Sequence, residues 1–405
     1  MNRVTSMDIT AGSGGVAAMA ESASSPVDRM AFEYSANSML ERESFGSGPS
    51  TDYQYDGYDL SGMSIEQGGS TTHQFGCNYD RNKNIITRSQ NGAVDQYTYD
   101  PSNRIQSEAG TQNETYSYDA NGNRLDKGSG KIFGLKHAEY TYDSQNRLKK
   151  VVEEGKTVSY TYNGDGLLYE RTEGEQITRH YYDEEAKLIA EAKVSSTGKA
   201  DISYMYIYDL YGQLWARQDK ESGKLQYYQL NGHGDVVGLV DANGKTLNSY
   251  TYDIWGGPLI EEETVPNTLR YAGEYWDDTT GLQYLRARWY DPGTARFMGE
   301  DTYEGQIDDP QTLNLYAYVH NNPLIYTDPS GHKVWLIHGT FSDGDTWTAD
   351  FVKYVEGLFH EKSEKLNWSG KNSNDARYDA SWEILRKVFN WHRQNTNEPI
   401  RINWV

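Results

Sequence analysis

The sequence predicts a mainly β fold with a small, incomplete α/β tail at its carboxyl end. Thirty-four tyrosines and ten tryptophans among 405 residues supply a large area of ring surface for burial. Tyrosine favours strands, and repeated Tyr-x-Tyr patterns place both rings on one face because side chains alternate along a strand. The net charge of −21 is typical of disordered chains. The aromatic content instead favours a folded chain with a tyrosine-built interior.

The net charge and the aromatic content of the chain both change near His332. Residues 333–405 carry ten basic and ten acidic residues, two tyrosines and six of the ten tryptophans. The whole net charge of −21 therefore lies before Lys333. A change of this size indicates a boundary between two chemically different domains.

The composition excludes several classes of site and partner. Cys77 is the only cysteine, and the nine histidines form no HExxH motif, so we expect no disulfide, no metal site and no cofactor. An isoelectric point near 4.8 argues against nucleic-acid binding through phosphates. No apolar stretch is long enough for a transmembrane segment, and residues 1–30 show no secretory signal.

Residues 1–50 are rich in serine, glycine and alanine and have no clear period. Such a composition indicates a poorly ordered leader. The alternative is a short, atypical first repeat.

Residues 51–268 repeat a Tyr-Asp dyad or a close variant of it. Each unit predicts a Tyr-x-Tyr strand, an Asp-capped turn and a second short strand that completes a hairpin. The dyads start at Tyr55, Tyr79, Tyr99, Tyr118, Tyr142, Tyr162, Tyr182, Tyr208, Tyr228 and Tyr252. These residues resemble the RHS/YD-repeat family, which implies a long sheet that spirals into a hollow shell. Tyrosine and aspartate are then scaffold, and carbohydrate binding on the aromatic face is the minor interpretation.

Residues 269–332 carry the densest set of motifs. They include Gly281-Leu282-x-Tyr284, Arg288-x-Tyr290-Asp291-Pro292, Leu313-Asn314-x-Tyr316, Asn321-Asn322-Pro323 and Asp328-Pro329-x-Gly331. This order resembles the RHS repeat-associated core domain, which closes one end of the shell. Relatives with this ending cut themselves just after the final motif, which implies a scissile bond near His332-Lys333.

The resemblance implies that aspartates of the core domain carry out this self-cleavage. Asp301 and Asp328 are the leading candidates, and Asp291 is the third. Two carboxylates held close together cannot both ionise easily, so one keeps a proton while the other activates water. Arg288 or Arg296 could hold a carboxylate, although a scaffold salt bridge is an equal alternative.

Other observations weaken this assignment. Thr302 and Ala295 stand where many relatives have proline and glycine. Each candidate aspartate could also simply cap a turn.

Residues 333–405 begin with a buried-strand pattern that ends at His338-Gly339-Thr340, followed by two helical patterns and a strand. The opening resembles the alpha/beta-hydrolase fold, in lipase-like members of which this loop contributes to the oxyanion hole. No G-x-S-x-G motif occurs in the sequence. We therefore expect a partial hydrolase-like domain that is inactive because its serine nucleophile is missing.

Together these features predict a C-terminal fragment of a bacterial polymorphic RHS toxin. The resemblance implies secretion or surface display of the full-length protein, its own C-terminal effector as an internal partner, and an immunity protein. One alternative is a non-enzymatic cell-surface protein that binds cell-wall carbohydrate. Another, a lipase in its own right, is opposed by the missing serine.

Overall fold

The computed structural model describes residues 6–9, 28–36, 39–45, 48–57, 59–129, 136–209, 212–302, 310–324 and 326–331. They form one antiparallel sheet of 23 strands and a second antiparallel sheet of four. The mainly β fold class predicted from the sequence is confirmed. The predicted α/β tail lies outside the described residues.

Each strand of the large sheet pairs with the strands that precede and follow it in the sequence. The strands are β1 (Ser6–Ile9), β2 (Asp28–Tyr34), β3 (Leu40–Phe45), β4 (Ser50–Asp56), β5 (Asp59–Gln67), β6 (Ser70–Tyr79), β7 (Ile85–Gln90), β8 (Ala93–Tyr99), β9 (Ile105–Ala109), β10 (Asn113–Tyr118), β11 (Arg124–Ser129), β12 (Lys136–Tyr142), β13 (Leu148–Glu153), β14 (Lys156–Tyr162), β15 (Leu168–Glu173), β16 (Gln176–Tyr182), β17 (Leu188–Val194), β18 (Ala200–Tyr208), β19 (Leu214–Asp219), β20 (Leu225–Leu230), β21 (Val236–Asp241), β22 (Thr246–Tyr252) and β23 (Pro258–Glu263).

Strands β2 and β3 lie within residues 1–50, the segment expected to be a poorly ordered leader. They pair with each other, and β3 pairs with β4 at the start of the repeats. The register of β2 and β3 shifts just before Tyr34, as it does before most of the dyad tyrosines that follow. This part of the segment therefore fits the alternative of an atypical first repeat.

In most dyads the Asp builds the turn between two strands. The Asp100 carboxylate accepts hydrogen bonds from the backbone N–H groups of Ser102 at 2.9 Å and Arg104 at 3.0 Å. The residue between them, Asn103, has a φ of +64°, the left-handed conformation that Asn and Gly tolerate best. This explains why Asp and Asn-Gly recur at fixed positions of the repeat.

The dyad tyrosine joins its hairpin to an earlier strand. Its side chain is partly buried, and its hydroxyl donates to a backbone carbonyl at the start of that strand. The pairs are Tyr55–Leu40, Tyr79–Leu60, Tyr99–Ile85, Tyr162–Leu148, Tyr208–Leu188 and Tyr252–Val236. In these six repeats the dyad tyrosine therefore belongs to the scaffold.

The second sheet lies in the segment after β23, which we call the plug (described residues 269–302, 310–324 and 326–331). Its strands are β24 (Tyr275–Asp277), β25 (Leu282–Leu285), β26 (Arg288–Asp291) and β27 (Arg296–Phe297), with 3-10 turns at Tyr271–Gly273, Pro310–Leu313 and Val319–Asn321. Two apolar clusters join the plug to the large sheet. One contains Tyr160, Tyr284 and Trp289, and the other contains Phe75, Trp255 and Tyr290.

The large sheet curls around the plug. Strands β6 and β22 are sixteen positions apart, which in a flat sheet would separate them by about 77 Å. Yet Cys77 on β6 packs in one cluster with Trp255 in the turn after β22. Opposite parts of the sheet therefore meet, and the core of the molecule lies between its concave face and the plug.

Candidate self-cleavage site

The turn between β25 and β26 presents two arginines to the end of the described chain. The N–H of Ala287 donates to the carbonyls of Leu285 at 2.8 Å and Ser330 at 3.2 Å. On either side of it, Arg286 donates to the Pro329 carbonyl and Arg288 donates to the Gly331 carbonyl. The turn thus holds the Asp328–Gly331 loop through its backbone.

Arg288 lies at the centre of the candidate site. Its Nη2 contacts Oδ2 of Asp301 at 2.7 Å, and its Nη1 donates to the Leu315 carbonyl at 2.9 Å. Its guanidinium lies over the Phe297 ring, 3.6 Å from the ring centre. Burial lowers the pKa of Arg288, and the carboxylates of Asp301 and Asp328 oppose that change.

Asp328 shapes the loop in which it lies. Its Oδ1 accepts hydrogen bonds from the N–H of Gly331 at 2.8 Å and from the N–H and hydroxyl of Ser330, both at 3.2 Å. Burial raises the pKa of Asp328, while Arg288 and these donors oppose the rise. The side chain is therefore a turn cap, as the alternative interpretation expected, and also a buried carboxyl group near Arg288.

Only glycine fits at position 331. Its φ is +71°, and a Cβ placed there would collide with the Leu285 carbonyl and lie 3.0 Å from the Arg288 nitrogen. The close approach of the loop to the β25–β26 turn therefore depends on the absence of a side chain.

Asp291, the third candidate, lies in a different environment. Its Oδ2 pairs with Nη1 of Arg124 on β11 at 2.6 Å and accepts the Thr294 hydroxyl at 2.9 Å. Burial would raise the pKa of Asp291, but Arg124 holds it below its usual value. The structure thus groups Asp301 and Asp328 around Arg288 and places Asp291 in a link between shell and plug.

The two candidate arginines also differ. Arg288 holds a carboxylate, whereas the buried Arg296 donates to the carbonyls of Ala295 and Lys83 and to the Asn321 side chain. Sequence reasoning did not single out Arg286, which also pairs with the partly buried Glu274 at 2.7 Å. The signal in the sequence that could have indicated Arg286 is its position two residues before Arg288, in a tight turn.

A cavity of 230 Å³ lies beside the loop. Pro329 and Arg286 form part of its wall, together with tyrosine and leucine side chains of the shell. The predicted scissile residues His332 and Lys333 and the predicted oxyanion loop His338-Gly339-Thr340 lie outside the described residues, as do residues 303–309.

Two searches of the described part of the chain had negative results. No cluster of three or more His, Cys, Asp or Glu side chains there has the arrangement of a metal site. No helix in it is long and apolar enough to cross a bilayer.

The large sheet of Tyr-Asp hairpins curls around the plug and is joined to it by ion pairs. This arrangement defines the protein as a shell built from strand repeats. The chain belongs to the Teneurin YD-shell family, whose model matches residues 23–324. This confirms the resemblance to YD-repeat proteins. The resemblance of the tail to hydrolases concerns residues outside the described ranges.

Curated relatives share parts of this chain. The tRNA3(Ser)-specific nuclease WapA of Bacillus spizizenii is 36% identical over 231 residues, which cover 55% of this chain and 9% of the relative. Double-stranded DNA deaminase toxin A of Burkholderia cenocepacia is 26% identical, with coverage of 75% and 24%. The toxin subunit YenC1 of Yersinia entomophaga is 25% identical, with coverage of 63% and 23%. The chain thus spans less than a quarter of the length of each of these relatives.

Among solved structures, the complex TcdB2-TccC3-Cdc42 is similar, with a TM-score of 0.39 and 19% identity. The similarity covers 75% of this chain and 19% of that chain.

Proposed function

We propose that this chain is the shell and self-cleaving plug of a secreted polymorphic toxin, and that it cuts itself near His332-Lys333 to release a carboxyl-terminal effector. One observation carries the proposal. At the end of the described chain, a largely buried guanidinium holds both the Gly331 carbonyl and the Asp301 carboxylate, with Asp328 nearby. The predicted scissile bond lies one peptide unit further on.

The two aspartates differ in the way that an acid–base pair requires. Burial raises the pKa of Asp328, which favours the protonated form that a proton donor needs. Its three hydrogen bonds go to Oδ1, which leaves Oδ2 for that proton. Asp301, whose Oδ2 contacts Nη2 of Arg288 at 2.7 Å, is the proposed general base.

The reaction is a hydrolysis. Asp301 takes a proton from water, and the resulting hydroxide adds to the carbonyl carbon of residue 332. The carbonyl polarised by the Asp328 proton becomes a tetrahedral oxyanion, and the C–N bond to residue 333 then breaks. The departing nitrogen receives the proton that Asp301 took from water, so the products are a new carboxyl group and a new amino group.

Intact mass of the purified chain tests the proposal. Self-cleavage divides the wild-type chain after residue 332, and Asp301→Asn and Asp328→Asn should each remain whole. Asp291→Asn is the matched control, since its carboxylate serves the Arg124 link, and it should still be cut. An uncut wild-type chain, or cleavage of Asp301→Asn at the wild-type rate, would contradict the proposal.

The effector is a separate question. The relatives carry different activities in their names, tRNA nuclease and DNA deaminase among them, while sharing similarity with this chain. This supports a shell that accompanies different effectors and an immunity protein matched to each. For residues 333–405 we keep the partial hydrolase-like domain as the proposal. A nuclease is the alternative, and activity of the separated tail on RNA would favour it.

The alternative of carbohydrate binding on the tyrosine face has less support. The dyad tyrosines listed above already use their hydroxyls to bind the shell backbone. Other tyrosines of the pattern, such as Tyr160 and Tyr250, are buried.

A further inference from the structure

One hairpin of the large sheet lacks the dyad tyrosine of its neighbours. At the end of β16, β18 and β22, a tyrosine follows a shift in register and pairs with the first residue of the next strand. The pairs are Tyr182–Leu188, Tyr208–Leu214 and Tyr252–Pro258. At the end of β20 the same shift precedes Leu230, which pairs with Val236. The sequence suggested Tyr228 for this position, but the pairing gives it to Leu230, two residues later.

The hydroxyl of the missing tyrosine would have a defined acceptor. The Tyr208 hydroxyl donates to the Leu188 carbonyl at 2.9 Å, and Leu188 pairs with the dyad tyrosine of the preceding hairpin. The Tyr252 hydroxyl donates to the Val236 carbonyl at 2.8 Å in the same way. By this rule the absent tyrosine would donate to the Leu214 carbonyl. No tyrosine hydroxyl of the described residues donates to that carbonyl instead.

The cavity of 230 Å³ beside the Asp328–Gly331 loop lies at this gap in the repeat. Leu214 and Leu230 both form part of its wall. Its walls also include four tyrosine rings, two from the shell and two from the plug: Tyr182, Tyr208, Tyr275 and Tyr284. Aromatic walls favour an aromatic ligand, which can stack on their faces or meet their edges. Pockets for drug-sized molecules span about 300–1,000 Å³, so this smaller cavity suits a ligand with one ring.

The hydroxyl of Tyr182 adds a polar group to the wall. The repeat assigns it the Leu168 carbonyl, but among the described residues no hydrogen bond joins these two groups. Tyr284 of the plug reaches Leu168 instead, and its hydroxyl accepts the Leu168 N–H at 2.9 Å. Burial raises the pKa of Tyr182 well above its usual value, so its hydroxyl keeps its proton and can donate.

The charged side chains of the wall are already paired. Arg286 contacts Glu274 at 2.7 Å. Lys187 contacts Glu185, also at 2.7 Å. An ionised ligand would have to compete with these pairs and give up its own hydration. The arrangement therefore favours a neutral ligand.

We propose that this cavity binds a phenol, a neutral aromatic ring with one hydroxyl, in the place of the tyrosine that the repeat lacks. The ring lies between the tyrosines of the shell and those of the plug. Its hydroxyl donates to the Leu214 carbonyl and accepts from Tyr182. A free phenolic compound and the tyrosine side chain of a second protein share this chemistry. The proposal does not depend on self-cleavage, because every residue of the wall lies before His332.

Isothermal titration of the full chain with p-cresol tests the proposal. A ligand of this size in a formed pocket should bind with a dissociation constant of about 1 mM or below. Toluene keeps the ring but lacks the hydroxyl, so it should bind at least about tenfold more weakly. A wild-type chain that does not bind p-cresol, or that binds toluene equally well, would overturn the proposal.

N-acetyltyrosinamide distinguishes the two sources of the phenol. It should bind as p-cresol does if the site accepts the tyrosine of another protein, because it carries a peptide group on each side of that residue. It should not bind, while p-cresol does, if the site admits only a free phenolic compound.

Leu230→Tyr supplies the side chain that the repeat lacks. It should weaken p-cresol binding by at least about tenfold, because the new ring occupies the cavity. It should also raise the thermal midpoint by about 2–4 °C, since filling a cavity and supplying a donor to a carbonyl both stabilise the fold. Leu230→Phe should block binding equally but raise the midpoint by less, because it brings no hydroxyl.

Leu259→Tyr is the matched control, since Leu259 is a shell leucine that is 40% exposed and forms no part of the cavity wall. It should leave p-cresol binding and the thermal midpoint unchanged. Undiminished p-cresol binding to Leu230→Tyr would place the ligand elsewhere and overturn the proposal. A midpoint of Leu230→Tyr below that of the wild type would show that the cavity does not accept the ring, with the same consequence.

Discussion

Buried and partly buried arginines of the shell meet carboxylates of the plug at several points. Arg124 pairs with Asp291 at 2.6 Å, and Arg171 pairs with Asp277 at 2.7 Å. Both contacts join residues more than a hundred positions apart in the sequence. A buried ion pair adds little net stability over an apolar pair, but losing one partner leaves a charge without compensation. These contacts therefore select one placement of the plug.

The first prediction concerns the Arg124–Asp291 pair. Arg124→Met should lower the free energy of unfolding by about 3–5 kcal/mol because Asp291, whose side chain is largely buried, then lacks its cation. Urea unfolding of uncut protein measures the change. Lys199→Met provides the control, since its pair with Asp201 is exposed at 73% and 66% and should be worth at most about 1 kcal/mol. Equal effects of the two substitutions would contradict the prediction.

The surroundings of His233 predict that the stability of the protein depends on pH. Burial acts to lower its pKa, but the Asp235 carboxylate at 2.7 Å and the carbonyls of Pro323 and Tyr326 raise it above the usual value of 6.5. The protonated form therefore stabilises the fold below pH 6.5, and this contribution is lost as pH rises through the folded-state pKa.

Comparison with His233→Gln isolates this contribution. Between pH about 6 and about 8, the urea midpoint of the wild type should fall by more than that of the variant. The aromatic neighbour Tyr271 carries no charge in this range, so Asp235 is the group that governs the shift. Parallel pH profiles of the two proteins would exclude His233 as the cause.

At the scale of the element, the turns of the repeat share one backbone path but differ in what they touch. Gly244 and Gly256 occupy the same position of two successive hairpins, with φ of +80° and +87°. Open space surrounds the position of a Cβ at Gly244, whereas at Gly256 a Cβ would lie 2.5–2.9 Å from the Tyr271 ring of the plug. The second turn is therefore both a turn and a contact surface.

Alanine at these two positions separates the roles. Gly244→Ala should cost about 1–2 kcal/mol, the strain of a left-handed alanine. Gly256→Ala should cost more, because Tyr271 must also move. Thermal unfolding of both variants provides the measurement, and a smaller effect at Gly256 would show that the plug does not press on this turn.

The tyrosines allow a similar comparison. The hydroxyl of Tyr162 donates to the Leu148 carbonyl and accepts the indole N–H of Trp289 at 3.0 Å, whereas that of Tyr99 donates to the Ile85 carbonyl at 2.8 Å. Tyr162→Phe should therefore destabilise the protein more than Tyr99→Phe, by about 1–3 kcal/mol for the added unsatisfied donor. Chemical denaturation of the two variants measures the difference. Equal losses of unfolding free energy would contradict the role of Trp289.

The sequence was sufficient to predict the strands and turns. It was not sufficient to predict which shell residues contact which plug residues. Tyrosine spacing and Asp turns predicted the hairpins because those signals are local. The pairing of Arg124 with Asp291 spans 167 positions, and nothing in a single sequence reports such a distance. For the same reason Asp301 and Asp328 could be named, but the part of Arg286 in holding the Asp328–Gly331 loop could not.

At the scale of the molecule, the plug completes the core of the shell. Shell tyrosines and leucines from β12 to β22 share one apolar cluster with plug residues Tyr275, Tyr284 and Trp289. A chain ending at residue 268 should therefore expose this face. Its binding of a hydrophobic dye should rise well above that of uncut Asp301→Asn protein, and its thermal transition should broaden. A sharp transition with no added dye binding would show that the shell folds without its plug.

The repeating hydroxyl-to-carbonyl contact of the dyad tyrosines has an evolutionary consequence. Each hairpin contacts only the neighbouring hairpins of the large sheet, so the sheet itself would accept one hairpin more or fewer. The plug would not, because Arg124 and Arg171 must each face a particular plug residue. Insertions between the strands of these two arginines would put those anchors out of phase, while hairpins gained or lost upstream of β5 would not. We therefore expect lineages of such proteins to vary in length at the amino-terminal end of the sheet and to keep a constant hairpin count next to the plug.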